Sequence, residues 1–171
     1  MTTTKNLCVL SIQSFVVHGF VGNKCSMFAL QTLGIDVDPL CTVQLSNHTG
    51  YPRWKGQVLS AGQVSDIFDG LSENSITENY THVLTGYCRD PDALRKIAFS
   101  VSSLKKSNPS LFYLCDPVLG DDGKLYVPAE LDSIYRENVI PLSNVVKLNQ
   151  TEAEVLSGIP IRSITDAKKA I

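Results

Sequence analysis

The chain has 171 residues, of which 43% are hydrophobic and 19% charged, with a formal net charge of −2. This balance excludes an intrinsically disordered chain, and it leaves no basic surplus to neutralise the phosphate backbone of a nucleic acid. The length suits one domain with a real core, and no apolar run is long enough to span a bilayer.

Met1 to Asn6 lacks the charged start and apolar core of a signal peptide, which points to the cytosol. Five cysteines are scattered along the chain, with no C-x-x-C, and are expected to be reduced and mostly buried. Leu7 to Ile12 is a short apolar run that reads as a buried strand. A glycine-containing stretch follows to Gly22. Asn23 is then expected to cap a helix through Cys25, Met27, Phe28, Leu30 and Leu33, stopped by Gly34. Ile35 to Leu45 is β-rich, with Asp38-Pro39 expected to interrupt it, and Ser46 to Gln57 reads as a loop.

Val64, Ile67, Phe68 and Leu71 are spaced for an amphipathic helix. His82 to Thr85 reads as a strand ending at Gly86. Asp90 and Pro91 then open a helix carrying Leu94, Ile97, Ala98, Val101 and Leu104 along one face. Leu111 to Cys115 is a further buried strand, and Pro128 is expected to open a helix through Leu131, Ile134 and Tyr135. Asn144 to Leu148 is the last predicted strand, and Thr151 to Leu156 a short helix stopped by Gly158. This alternation predicts the α/β class, a mostly parallel sheet with helices on both faces. Ser163 to Asp166 has the form of a capping box, and no stop signal follows it before Ile171. The sequence therefore reads as cut short, an incomplete single α/β domain over 1–171.

In open parallel sheets, ligands bind beyond the carboxyl ends of the strands. The loops there are rich in polar residues and glycine. Ser11 to Ser14, followed by His18 to Asn23, leads from a strand into a helix N-terminus; it is neither a Walker A loop nor G-x-G-x-x-G. Ser46 to Tyr51 offers hydroxyl, amide and imidazole groups, or simply a self-bonded turn. Tyr87 supplies either a ligand contact or an aromatic lid. Asp116 and Asp121 flank a turn after a buried strand and suit magnesium near phosphates, although Asp116 before Pro117 equally suits an Asx turn. Glu152 either complements the dipole of its helix or joins the same ion. No nucleophile elbow, His-Glu-x-x-His or Cys/His cluster occurs.

Taken together, several segments resemble the pyridoxal kinase family, in order and at matching spacing. They are Leu10 to Ser14, Val17-His18-Gly19 with Val21-Gly22-Asn23, Val43-Gln44 with Ser46 to Tyr51, Trp54 to Gln57, Leu84 to Tyr87, and Cys115 to Asp121. The resemblance runs from about Leu7 onward. It implies the ribokinase-like α/β fold, a homodimer, and ATP-dependent phosphorylation of the 5'-hydroxymethyl group of pyridoxal, pyridoxine and pyridoxamine. It implies that Ser14 and Thr49 hold the pyridine ring, with Tyr87 beside them. It places Asp116, Tyr126, Asn149, Gln150, Thr151 and Glu152 near ATP, and Asp116, Asp121 and Glu152 near Mg2+.

Two departures qualify what the resemblance implies. Lys147-Leu148-Asn149 stands where the family has Thr-Pro-Asn, and the missing Thr helps to bind an alkali-metal ion such as K+. Either the Lys147 ammonium substitutes for that cation, or it points away. The family's Gly-Thr-Gly-Asp segment, with its general-base Asp, is absent from the sequence, so no catalytic base is nominated. The alternative to a kinase is a non-catalytic vitamin-binding or partner-interaction protein. A related hydroxymethylpyrimidine kinase is disfavoured by Ser46 to Tyr51.

Overall fold

The computed structural model describes residues 7–170, so the reading of Met1 to Asn6 lies outside the described residues. In chain order the elements are β1 (Cys8–Val16), α1 (Gly22–Thr32), β2 (Asp36–Leu45), β3 (Gly56–Val58), α2 (Ala61–Glu73), β4 (His82–Thr85), α3 (Pro91–Ser107) and β5 (Phe112–Cys115). They continue with β6 (Gly120–Asp121), β7 (Lys124–Leu125), α4 (Leu131–Ile134), β8 (Val145–Val146), α5 (Gln150–Ser157) and α6 (Ile164–Ala170). Six strands form one sheet in the order β3-β2-β1-β4-β5-β8, and β6 and β7 form a separate hairpin. Every neighbouring pair in the large sheet is parallel except β2 with β3.

The expected α/β class holds, and it follows from burial. β1 lies mid-sheet and is buried along nearly its whole length, which explains its continuous apolar run. α3 buries the face predicted from its spacing, Leu94, Ile97, Ala98, Val101 and Leu104. The Asp90 carboxylate accepts from Ala93 N at 2.7 Å, Pro91 fills the first turn, and Lys105 and Lys106 suit the negative end of the dipole. α2 begins at a capping box formed by Ser60 and Gln63. Gly158 ends α5 at φ 71°, in the left-handed region open to glycine.

Several expectations need correction. Asn23 is not a cap; Val21 holds that position, and Asn23 lies fully buried in the first turn of α1. Its carboxamide donates to Gln13 O at 3.1 Å and Leu40 O at 3.0 Å, bridging β1 and β2. The apolar face expected of α1 is largely exposed, with Phe28 at 75% and Leu33 at 74%. Asp38-Pro39 does not interrupt β2. Pro39 pairs in register with Ser11, and β3 covers only Val43 to Leu45, so the missing N–H leaves no strand partner unsatisfied.

The Ser46 to Gln57 loop returns as antiparallel β3, which the polar composition concealed. The helix expected from Pro128 begins at Leu131 and passes into a π turn over Tyr135–Val139. The strand expected over Asn144 to Leu148 shortens to β8. None of the cysteines forms a disulfide, but only Cys88 and Cys115 are buried.

The Asn23 bridge has a measurable consequence. Asn23→Ala should cost about 2 kcal/mol, because two backbone carbonyls lose their donor in a buried setting. Urea unfolding reads this directly. A change within about 0.5 kcal/mol, typical of a neutral surface site, would show that the bridge carries no stability.

Candidate active site

Strand order reverses at β1: β2 lies on one side of it and β4 on the other. A crevice opens at the carboxyl ends of such a strand pair. β1 and β2 also fall out of step there. Gln13 pairs with Cys41 but Phe15 with Gln44, so Ser14 faces an extra residue on β2. Bulges of this kind re-aim side chains.

The crevice contains a cavity of about 200 Å3. Val16, Val21, Val43, Leu45 and Val118 give it apolar walls, and Gln13, Ser14, His48, Thr49, Tyr87 and Asp116 supply polar groups. Few polar groups in an apolar hollow suit a small organic ligand. Four predicted residues, Ser14, Thr49, Tyr87 and Asp116, therefore meet here from four separate segments. Two larger hollows, of about 630 and 680 Å3, lie between β2 and α2 and between β8, α5 and α6. Neither gathers the predicted set, although Asn149 and Gln150 border the second.

Two glycines let the backbone come close. Gly22 has φ 42°, and a Cβ there would lie 2.5 Å from Ser14 O and 2.6 Å from Ser14 Oγ. A Cβ on Gly86 would lie 2.6 Å from Gln13 Oε1. Gln13 itself donates to the Ser11 and Ser26 hydroxyls, both at 2.9 Å. Thr42 Oγ1 donates to Tyr87 O at 2.6 Å and fixes the backbone of that wall. Gln13 falls within the candidate segment Ser11 to Ser14 but is given no role of its own, and Thr42 escaped the sequence reading, since neither residue type at a strand end marks a site.

The remaining predicted residues, Gln150 apart, cluster around the β6–β7 hairpin and the start of α5. Asn149 caps α5, accepting from Glu152 N at 2.9 Å, while Glu152 Oε2 accepts from Asn149 N at 2.9 Å. Glu152 Oε1 also accepts from Leu119 N at 3.3 Å. Asn149 Nδ2 donates to Gly120 O at 2.8 Å, and Thr151 Oγ1 accepts from Gly123 N at 2.9 Å. These bonds seat the β6–β7 hairpin on the start of α5. Its turn has Asp122 at φ 49° and Gly123 at φ 74°, the pattern of a two-residue hairpin. The Asp-Gly pair was the available signal for this hairpin.

Asp121 is exposed there, and its carboxylate accepts from Asp122 N at 2.9 Å. Tyr126, 43% exposed, follows β7. Gln150 is not brought to this cluster; its amide donates to Ile161 O at 2.7 Å, toward α6.

The charge around this cluster is negative. Burial pushes the Tyr126 phenol up, and Glu152, Asp121, Asp116 and Asp122 push it further. Burial also raises the Asp116 and Glu152 carboxyls. The Lys147 ammonium opposes the rise at Asp116, lying 3.4 Å from Oδ1 and 3.3 Å from Oδ2. The sequence left two orientations open for Lys147, and it points toward Asp116.

The chain is similar to known proteins in sequence and in fold. A pyridoxal kinase from Dictyostelium discoideum is 54% identical over 163 residues, covering 95% of this chain and 54% of that protein. The human pyridoxal kinase is 47% identical over 167 residues, covering 95% of this chain and 53% of its own length. The structure of the Leishmania donovani pyridoxal kinase in complex with ADP and pyridoxamine superposes with a TM-score of 0.93 at 39% identity, covering 96% of this chain and 57% of that one. The chain matches about half of a pyridoxal kinase, in sequence and in fold. It spans about half the length of the curated relatives it matches. No family model matches the chain. Over the part it spans, the fold is the ribokinase-like fold of the pyridoxal kinases, as the sequence led us to expect.

Gly22→Ala should destabilise the chain by about 2–3 kcal/mol, since the new Cβ meets backbone at a positive φ. It should also displace Ser14, visible as a changed Ser14 amide shift in NMR. A native-like melt with an unmoved Ser14 would refute the close approach.

The Lys147–Asp116 pair makes a pH prediction. A carboxyl raised in the folded state binds more protons folded than unfolded, so stability falls as pH rises from the unfolded carboxyl pKa through the folded one. Lys147→Met lets Asp116 rise further, so that fall should steepen, with a cost of about 0.5–1 kcal/mol at neutral pH for this half-exposed pair. Urea melts from pH 4 upward check it; parallel curves for the two proteins would dismiss the pair.

Proposed function

We propose that the chain is the vitamin-binding and part of the nucleotide-binding portion of a pyridoxal kinase, which transfers the terminal phosphoryl group of ATP to the 5'-hydroxymethyl group of a B6 vitamer. The observation carrying this reading is the convergence of Ser14, Thr49, Tyr87 and Asp116 on one cavity at the strand-order reversal. Ser14 and Thr49 present hydroxyls to a pyridine ring, and the Tyr87 ring closes one wall. Asp116 lies at the boundary between this cavity and the acidic cluster, where a phosphoryl donor would enter. Phosphoryl transfer asks chiefly for positioning and for neutralisation of charge.

Among the described residues, no group of three or more His, Cys, Asp or Glu side chains is placed to hold a metal alone. Magnesium suits such a place, because it binds through one or two carboxylates together with phosphate oxygens and water. Asp121 would supply a carboxylate directly, and Asp116, already paired with Lys147, would reach the ion through water. Glu152, with an N–H on each oxygen, is left to reach the ion through water. The ion would neutralise phosphate charge. Asn149, Thr151 and Tyr126 hold the hairpin beside it, and Gln150 takes part only through the helix it starts.

The residues do not fit an alkali-metal ion beside Asp116, because the Lys147 ammonium already lies against both carboxylate oxygens. No residue of this chain is assigned as general base, since the sequence holds no Gly-Thr-Gly-Asp. The second reading is a chain that binds vitamin without transferring phosphate. The proposal also carries the homodimer and the cytosolic location that the resemblance implies. No helix among the described residues is long and apolar enough to cross a membrane.

Calorimetry with pyridoxine and with ADP–magnesium tests the reading. Both should bind the wild-type chain. Ser14→Ala and Thr49→Val should each weaken pyridoxine about tenfold, as expected for a lost hydrogen bond of about 1.4 kcal/mol. ADP affinity should be the same in potassium and in tetramethylammonium buffers. If neither ligand binds, the reading fails; if both bind without turnover, the second reading replaces the first.

A further inference from the structure

Arg89 lies on the loop that leaves β4, half-buried between two other loops. Its guanidinium carbon is 5.3 Å from the Trp54 ring centroid. Its Nη1 donates to Tyr87 Oη at 3.5 Å and to Tyr126 O at 3.5 Å. Each contact is at the long end of its range, so none is strong alone. One side chain nevertheless meets three of the segments around the site.

Two of those segments are each closed on themselves by hydrogen bonds. The loop from Ser46 to Lys55 is closed at its base by Ser46 N on Lys55 O at 2.8 Å and Lys55 N on Ser46 Oγ at 3.1 Å. Asn47 Nδ2 on Arg53 O at 3.0 Å braces it within. Thr49 and Trp54 are therefore parts of one closed loop. The hairpin from Leu119 to Tyr126 is closed in the same way, by Tyr126 N on Leu119 O at 3.1 Å. It is seated on α5 by Asn149 and Thr151. Arg89 spans the gap between them, with Tyr87 beneath.

We propose that Arg89 is a positioning residue that couples the two loops, so that a nucleotide at the β6–β7 side tightens the Thr49 loop over the vitamin side. The inference rests on the function proposed above. Arg suits this place better than Lys: its planar guanidinium stacks on the indole while its N–H groups reach sideways.

Trp54 is the sole tryptophan, so the chain carries its own reporter. In the wild-type chain, ADP–magnesium should shift Trp54 emission and tighten pyridoxine about fivefold, the lower end of ordinary coupling between sites. In Arg89→Met, ADP still binds by calorimetry, the emission no longer responds, and the coupling falls to none. Arg89→Lys recovers part of both. An unchanged emission response or unchanged coupling in Arg89→Met would overturn the inference.

Hydrogen exchange on the ligand-free chain gives an arm that needs no binding. Arg89→Met should speed exchange in 46–55 and 119–126 together, and acceleration in only one or neither would overturn the clasp. If neither ligand binds the wild-type chain, the proposed function fails while exchange still decides the clasp. Trp54→Leu removes the contact from the other side and repeats the exchange measurement should Arg89→Met fold poorly.

Discussion

After β3 extends the sheet beyond β2, the chain crosses to the far side of β1, and the sheet grows in the opposite direction from there. Right-handed crossovers that run in opposite directions along a parallel sheet put their helices on opposite faces. The loops at the carboxyl ends then part, and the sheet cannot fill the space between them. The rest of the candidate site depends on that split. Ser14 stands at its floor because β1 and β2 are out of step beside it. Asn23 keeps the two strands together below the bulge, donating one proton of its amide to each. Gly22 lets α1 start against Ser14 with no side chain between them.

The nucleotide side is built on a different principle. Here a helix start, not a strand end, is the foundation. The Asn149–Glu152 capping box satisfies the first turn of α5 and at the same time reaches outward to Leu119 and Gly120. A buried carboxylate is costly unless its oxygens are bonded, and Glu152 meets that condition with two backbone N–H groups. The outcome is a hairpin too short to stand alone, held at three points by α5. The carboxylates of Glu152, Asp121, Asp116 and Asp122 all act on the Tyr126 phenol, and Lys147 is the cation set against Asp116. Such a concentration of negative charge is unfavourable by itself and favours cations brought in with a ligand.

The legible parts of the fold are those where local signals and burial agree. β4, β5 and α3 follow from apolar spacing, a capping Asp and a first-turn Pro, all local. Asn23 misled because a residue type that caps helices was serving as a buried bridge between strands, and only the tertiary neighbours distinguish the two. Pro39 misled because its missing N–H matters only where a partner strand lies on that flank. β3, β6 and β7 are two or three residues long and make sense only as pairs. Ser14, Thr49, Tyr87 and Asp116 are legible from the loops beyond the strand ends together with the family resemblance, and the fold brings all four to one cavity wall. Gln150 parts from Asn149 because neighbours on a helix start point different ways, and sequence proximity says nothing of direction.

The polar residues around the crevice divide by whether their hydrogen-bonding capacity is already used. Gln13, Thr42, Asn149 and Glu152 are committed to the protein, bonded to strands, loops or helix ends. What they hold in place is a second group with capacity to spare: the Ser14 and Thr49 hydroxyls, the Asp116 and Asp121 carboxylates and the Lys147 ammonium. A buried polar group with no partner costs stability, and so this second group is concentrated at the cavity wall and the hairpin surface, where water can serve it until a ligand arrives. Recognition then depends on the spacing of that second group, and the first group fixes the spacing. Substitutions in the first group should therefore act on both stability and binding, whereas those in the second should act on binding with little cost to the fold.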